Sequence, residues 1–251
     1  MYKITELMKN NVLTHQKTAL ALETTGRLGS VAIGVGGKLS DEKTFSAPLR
    51  HNAELFDTVD VLLREISKTA DHINEVYISI GPGSFTGVRI SVTVAKMMAL
   101  ANKSKIVAVN TSDVIAQNID DESINKIATI IDAKRGQFFI AVFEKKENLW
   151  EKILDDCMIT PEQFKEKFGS EPIWLLGEGL LYYANKFETQ NIKILSDKYW
   201  SPKASNVYKL GTQLAQQGKF ADPVALVPLY IRKPEAEENL ENRVQGTGYR
   251  V

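Results

Sequence analysis

Three groups of residues in this 251-residue chain are of types and spacings that could do chemistry. The first is the stretch "ISIGPGSFTGVRIS", residues 78–91. There an apolar, strand-like run meets Gly81, Pro82, Gly83 and Gly87 and leads into an apolar helical pattern. Such a loop is a setting for anion binding, because the free N–H groups of a helix start attract phosphate or carboxylate. The second group is a pair of carboxylates at strand ends. Glu23 precedes "TTGRLGS" and Asp132 precedes "AKRGQF", so each turn also carries a basic residue and a glycine. The third group is small: His15, His51, His72 and Cys157 are the only histidines and the only cysteine.

Each group excludes as much as it allows. A P-loop needs a Lys-Ser/Thr pair after its glycines, and none follows here. Gly81, Gly83 and Gly87 give G-x-G-x-x-x-G, one residue out of phase with the dinucleotide fingerprint. Ser84 has Pro82 and Thr86 two residues away on either side, so it is not on a nucleophile elbow. Two readings of the loop stay open. It is a rigid strand-to-helix connection, with Gly83 free to adopt positive φ, Pro82 stiffening the turn and Ser84 capping the helix with help from Thr86. Or it makes an anion or nucleotide contact through Gly83, Ser84, Thr86 and Arg89. His51 has Leu55 where an i,i+4 metal pair would need a second histidine, so no metal site is read there. One cysteine excludes an intramolecular disulfide and a cysteine-based zinc site. Cys157, at a strand end with no base nearby in sequence, reads as structural.

Lys plus Arg equals Asp plus Glu at 31 each, so the formal net charge is zero. That removes a whole-molecule basic field for gripping nucleic acid. Lys134–Arg135 and Lys145–Lys146 are the basic pairs left for a local contact. No run of about 18 apolar residues exists to span a membrane. The first residues are too polar for a signal-peptide core, and a reducing, cytoplasmic setting is expected.

Residues 18–24 read as a strand and the next two runs as a hairpin. Residues 51–69 read as a helix, 75–80 as a buried strand, 85–102 as a helix, and "KIVAVN" as a strand followed by a helix capped by Thr111 or Ser112. The pattern then restarts at "IATIIDAKRGQFFIAVFEKKENLWEKILDD", with a helix from Thr160-Pro161, strands at "PIWLLG" and "IKIL", and helices at 179–188 and 203–217. The order β-β-β-α-β-α thus occurs twice, implying two mixed-sheet α/β lobes side by side. The expected division is an N-terminal extension at 1–17, with a short amphipathic helix using Ile4, Leu7 and Met8. A first lobe follows at 18–110, a second at 111–217, an ordered segment at 218–233 and a frayed tail at 234–251.

Two helices carry more apolar surface than one lobe needs. Leu55, Phe56, Val59, Leu62, Leu63 and Ile66 make a wide stripe on the first. The second is apolar nearly all round, with Val88, Val92, Ala95 and Ala99 on one side and Ile90, Val94, Met97 and Met98 on others. Leaving several such side chains in water would favour a partner surface; enclosure of the second helix in this chain's own core is an equal alternative.

The blocks "LALETTGRLGSVAIG", "RHNAELFDTVDVLLREI", "ISIGPGSFTGVRISVTVAKMMALANKSKIVAVNTSDVIAQ", "IIDAKRGQFFIAVFE" and "VPLYIRKPEAE" occur in an order that resembles the TsaB (YeaZ) family, bacterial proteins for threonylcarbamoyladenosine in tRNA. The resemblance covers about residues 18–235, and GPGSFTG-V-R-I is its most distinctive part. It implies an α/β fold of two actin-like (ASKHA, ribonuclease H-like) lobes. It also implies similarity to the catalytic subunit TsaD without that subunit's metal-binding histidines. Such proteins act by binding TsaD, with the ATPase TsaE joining. The complex transfers a threonylcarbamoyl group to the adenosine beside the anticodon. The implied partner surface is the two first-lobe helices, here Leu55, Phe56, Val59, Leu62 and Leu63 with Val88, Val92, Ala95 and Met98. No catalytic residue, metal or cofactor of its own is implied; ATP and a metal belong to the partner subunits. A homodimer is implied when the partner is absent, with tRNA reached at most through the complex and no membrane contact.

Glu23 departs from the pattern, since the family usually has Asp there. In actin-like ATPases an Asp near this position handles metal-bound phosphate. The alternative functions are a stand-alone ATP-using phosphotransferase, which would use Glu23 and Asp132, and a glycoprotease-like peptidase, which would need a base beside Ser84. Direct tRNA binding through Lys134, Arg135, Lys145 and Lys146 is a third reading.

Overall fold

Thr18–Glu23 (β1) is buried along its whole length, as a continuous apolar run requires of a central strand. It pairs antiparallel with Ser30–Val35 (β2) and parallel with Ile73–Ser79 (β4). Lys38–Thr44 (β3) and Lys105–Val109 (β5) complete a five-stranded sheet of order β3-β2-β1-β4-β5. The second sheet repeats this pattern. Lys126–Asp132 (β6) lies between Phe138–Lys146 (β7) and Ile173–Leu176 (β9), with Leu149–Ile159 (β8) and Ile192–Ile194 (β10) at the edges. Read from the edge, the orders are 3-2-1-4-5 and 8-7-6-9-10, with the same parallel and antiparallel joints. These are the two mixed-sheet lobes that the sequence pattern implies, in the ribonuclease H-like, actin-like form that the family resemblance implies. The computed structural model describes residues 16–232 except Leu49, Asn148 and Glu188. The expected N-terminal helix and the tail after Pro234 lie outside the described residues.

Two helices close one face of the first sheet. His51–Glu65 (α1) lies over β2 and β3, and Phe85–Asn102 (α2) over β4 and β5. Leu55, Leu62, Val88 and Ala95 enter the core formed by Leu20, Leu22, Ile33, Val76 and Ile78. Ser84 caps α2, its Oγ accepting the Gly87 N–H. Thr111–Ala116 (α3) is capped by Asn110, whose side chain accepts the Ser112 N–H at 2.8 Å. The cap thus sits one residue before Thr111, the nearer of the two expected caps, and Thr111 and Ser112 are helical. In the second lobe, Pro161–Phe168 (α4) starts with Pro161 behind a Thr160–Gln163 capping box. Leu180–Tyr183 (α5) is one turn long. Their face is sealed by rings: Phe138 lies 5.3 Å from Phe187 and 5.7 Å from Tyr183, and Phe164 lies 5.4 Å from Phe187.

The remaining faces are exchanged between lobes. Helix α3 follows β5, yet Ile115 and Ala116 pack with Ile127, Phe139 and Phe143 of the second sheet. Ala204–Gln216 (α6) closes the second unit in chain order, yet Ala204, Val207 and Tyr208 pack on Ala19, Ala21, Ala32 and Tyr77 of the first. The expected second lobe of 111–217 is therefore corrected: α6 belongs to the first lobe's core. The reason is steric. The back of the first sheet is lined with Ala19, Ala21, Ala32 and Gly34, which leaves room for a helix bearing Tyr208.

The segment after α6 is a strap. Ala221 bridges to Ile106, Leu226 is buried in the first core, and the Leu229 N–H donates to the Ile80 carbonyl at 2.8 Å. Arg232 then donates from Nη1 to the Ala133 carbonyl of the second lobe at 2.9 Å. Among the described residues, no helix is long and apolar enough to cross a membrane.

Candidate functional site

The glycine loop is stitched to the turn after β1. The Ser84 N–H donates to the Thr25 carbonyl at 2.8 Å, and the Thr24 hydroxyl donates to the Gly87 carbonyl at 2.6 Å. A Cβ on Gly83 would stand 2.7 Å from the Thr25 carbonyl oxygen, and one on Gly87 would run into that of Thr24. The glycines are therefore spent on backbone-to-backbone contact. The second lobe repeats the device, which the sequence reading did not register. Gly177-Glu178-Gly179 follows β9 as Gly81-Pro82-Gly83 follows β4. Gly81 and Gly177 both have positive φ, 107° and 119°, and the Gly179 N–H donates to the Ile130 carbonyl at 2.9 Å. The signal was present as a second G-x-G after a short buried strand.

Beneath the first turn, Glu23 is fully buried. One carboxylate oxygen accepts the Thr25 N–H and hydroxyl, both at 2.6 Å, and the Gly26 N–H at 3.3 Å; the other accepts the Ser79 hydroxyl. Burial pushes its carboxyl above the ordinary range, against the pull of the Ser79, Thr25 and Gly26 donors. His51 supports the same turn from below. Its ring is buried edge-on to Phe45, and Nε2 donates to the Gly26 carbonyl at 3.1 Å. Burial lowers its pKa, so it sits there neutral.

The matching turn of the second lobe is open. Asp132 accepts the Lys134 N–H at 2.8 Å and its ammonium at 2.6 Å. Lys134 and Arg135 hold φ of 64° and 55°, where a residue with a Cβ is strained by about 1 kcal/mol each. The two turns face one another across a cleft of about 630 Å³ between the lobes. Across it the Arg27 N–H donates to Glu178 at 2.6 Å, and Arg27 Nη1 donates to the Tyr182 hydroxyl at 2.8 Å. Tyr230 and Arg232 of the strap border the same space.

Of the four expected anion contacts, Gly83, Ser84 and Thr86 line this cleft. Arg89 is not among the lining residues. Its guanidinium lies 3.7 Å over the Phe85 ring and Nε donates to the Tyr230 hydroxyl at 3.1 Å, so it clamps the strap. The cationic lining comes instead from Arg27, Lys134, Arg135 and Arg232.

The expected partner surface needs a larger correction. Leu55, Val59, Leu62, Leu63, Val88, Val92 and Ala95 are all buried within this chain, at 8% exposure or less. They are the first lobe's own core, because the sheet beneath offers Leu20, Leu22 and Ile78 to both helices. Met98 is half-buried and Phe56 is 60% exposed. What α1 and α2 turn outward is Phe56, Val61, Phe85, Met97 and Leu100. The strap adds Val224 and Val227 beside α2, where Lys96 donates to the Val224 carbonyl.

The alternative enzymatic readings meet engaged groups. Ser84 Oγ is occupied with the Gly87 N–H, His51 with Gly26, and His72 with Thr69. No described histidine pairs with Ser84. Among the described residues no cluster of three His, Cys, Asp or Glu could hold a metal ion.

Residues 46–240 match the family model described as TsaD, tRNA N6-adenosine threonylcarbamoyltransferase. The chain is 29% identical to the tRNA threonylcarbamoyladenosine biosynthesis protein TsaB of Bacillus subtilis, over 88% of this chain and 96% of that one. It is 24% identical to TsaB of Escherichia coli, over 89% and 98%. Among solved structures, YeaZ from Pseudomonas aeruginosa superposes with a TM-score of 0.74 at 21% identity, covering 85% of this chain and 99% of that one.

Proposed function

The chain belongs to the family this model describes, in its TsaB (YeaZ) branch, and from that premise we propose that it takes part in tRNA threonylcarbamoyladenosine biosynthesis as a non-catalytic subunit. It binds and supports a TsaD-like transferase, with a TsaE-like ATPase joining the complex. ATP and the metal belong to those partners. Without the transferase, two copies pair through the same surface.

The observation that carries this reading is the outward row of the first lobe. Phe56 and Val61 on α1 and Met97 and Leu100 on α2 are exposed on two helices that touch, at 60, 42, 57 and 77%. An apolar row on two adjacent helices is a surface that a partner would cover. Charge supports a partner built on the same plan. Helix α1 carries Glu54, Asp57, Asp60 and Glu65 against one cation, Arg64, which pairs with Asp60, whereas α2 has Arg89 and Lys96 and no acid. A two-fold arrangement sets the acidic helix of one subunit against the basic helix of the other.

The buried positions decide the experiment. Phe56→Glu with Met97→Glu should leave a chain that melts as before and no longer co-elutes with TsaD. Leu55→Glu with Val59→Glu should instead lower the melting temperature sharply, since it places two carboxylates in the core. Undiminished co-elution of the Phe56→Glu/Met97→Glu chain would remove the surface assigned here.

A further inference from the structure

The strap runs away from the outward row and ends at the inter-lobe cleft. Leu229, Tyr230, Ile231 and Arg232, the last four described residues, all line that cleft. Their course is fixed at three points. The Leu229 N–H donates to the Ile80 carbonyl at 2.8 Å, the Tyr230 hydroxyl accepts Arg89 Nε at 3.1 Å, and Arg232 Nη1 donates to the Ala133 carbonyl at 2.9 Å. The chain is thus delivered within one arginine side chain of Ala133, which Lys134 and Arg135 follow directly.

The charge of the wall and the charge of the segment that comes next are opposite. Among the described residues lining the cleft are four cations, Arg27, Lys134, Arg135 and Arg232, against two acids, Asp132 and Glu178. Both acids are already engaged, Asp132 with Lys134 and Glu178 with the Arg27 N–H and the Ser201 hydroxyl. After Lys233 and Pro234 the sequence reads Glu235, Ala236, Glu237, Glu238, Asn239, Leu240, Glu241, four carboxylates in seven residues with no cation. The next cation is Arg243. In extended chain, Glu235 reaches about 10 Å beyond Arg232 and Glu241 about 30 Å, enough to span the cleft mouth. A tether this short holds the glutamates at roughly millimolar effective concentration, so pairs that are weak singly act together.

We propose that residues 235–241 fold back across the mouth of this cleft as an acidic cover supplied by the chain itself, their glutamates pairing with Arg27, Lys134 and Arg135. The cover neutralises a basic wall that folding assembles from two distant turns. It is held by exposed charge pairs and by no buried apolar anchor, so it is removable by salt or by a competing acidic group. The inference goes beyond the subunit role and does not rest on it, since its residues are not those of the outward row.

Limited digestion of the full chain with a glutamate-specific endoprotease tests it, a free peptide of residues 233–242 setting the unprotected rate. Cleavage after Glu237 and Glu238 should be about tenfold slower in the chain than in the peptide, at every protein concentration. In 1 M NaCl, where charges act over only about 3 Å, the two rates should converge. Lys134→Asn with Arg135→Asn suits the left-handed backbone of that turn, at φ of 64° and 55°, and removes two charges. That variant should melt no lower than the parent and be cut at the peptide's rate. A spin label on Ala236→Cys in a Cys157→Ser chain locates the cover. It should broaden the amide signals of Arg27 and Gly136, and broaden them less in the double-Asn variant. Three results would overturn the proposal: a parent cut as fast as the peptide, protection unchanged in the double-Asn variant, or broadening that appears in an unlabelled copy mixed with the labelled chain. The Phe56→Glu/Met97→Glu chain should keep its protection, which separates failure here from failure of the partner surface.

Discussion

Glu23 ends β1 and Asp132 ends β6, equivalent places in two lobes of one plan, yet their surroundings are opposite. Glu23 has no exposure, no cation and four donors, so it is part of the scaffold of its turn. The Asp132 side chain is 16% exposed and ion-paired to Lys134 at 2.6 Å. The loops that meet these turns differ likewise. Ser84 and Gly87 are hydrogen-bonded to the first turn through Thr25 and Thr24, whereas in the second lobe Gly179 donates to β6 at Ile130 and Gly177 packs against the same residue. One lobe has closed its turn to build a rigid platform under α1 and α2. The other has kept its turn open toward the cleft. A duplicated fold thus seals one carboxylate beneath its turn and leaves the other ion-paired at the edge of the inter-lobe cleft.

The comparison breaks first at the glycines. Gly87→Ala drives a methyl into the Thr24 carbonyl and should cost about 4 kcal/mol in urea unfolding. Gly179→Ala, whose Cβ would meet the Ile130 carbonyl oxygen at 2.8 Å, should cost about 2 kcal/mol. Equal losses would erase the asymmetry between the loops.

The carboxylates give the next effect. Glu23→Ala leaves buried donors of Thr25, Gly26 and Ser79 unpaired and should cost about 3 kcal/mol, against about 1 kcal/mol for Asp132→Ala. Glu23→Gln sharpens the test through pH. A folded carboxyl held above its ordinary pKa of 4.5 binds more protons than the unfolded one, so its contribution falls as pH rises from there through the folded value. The Gln variant should therefore gain on the parent over that rise and run parallel to it above. A constant difference from pH 4 to 8 would mean that Glu23 is not sealed.

The smallest effect belongs to His51. Its folded pKa lies below the ordinary 6.5, so the unfolded chain binds the proton first as pH falls. Stability should be full above 6.5 and decline below it by up to about 1.4 kcal/mol per pH unit. His51→Gln should remove that share of the acid slope, read from urea midpoints between pH 5 and 7.

Periodicity and composition fixed much of this chain without coordinates. Strand and helix order, the bounds of α2, the Ser84 and Thr160 caps and the doubled lobe plan all follow from local pattern, because each depends on neighbours within one turn or one strand. The glycine loop's position was legible for the same reason. Which apolar side chains face inward was not. Leu55 and Phe56 are adjacent and both greasy, and only the sheet beneath α1 decides that the first is core and the second is surface. The assignment of α6 to the first lobe is equally nonlocal, since it depends on alanines almost two hundred residues upstream. The cleft is the clearest case: Arg27 and Lys134 each sit in a recognisable basic turn, but the cleft they line exists only because folding sets the two turns face to face.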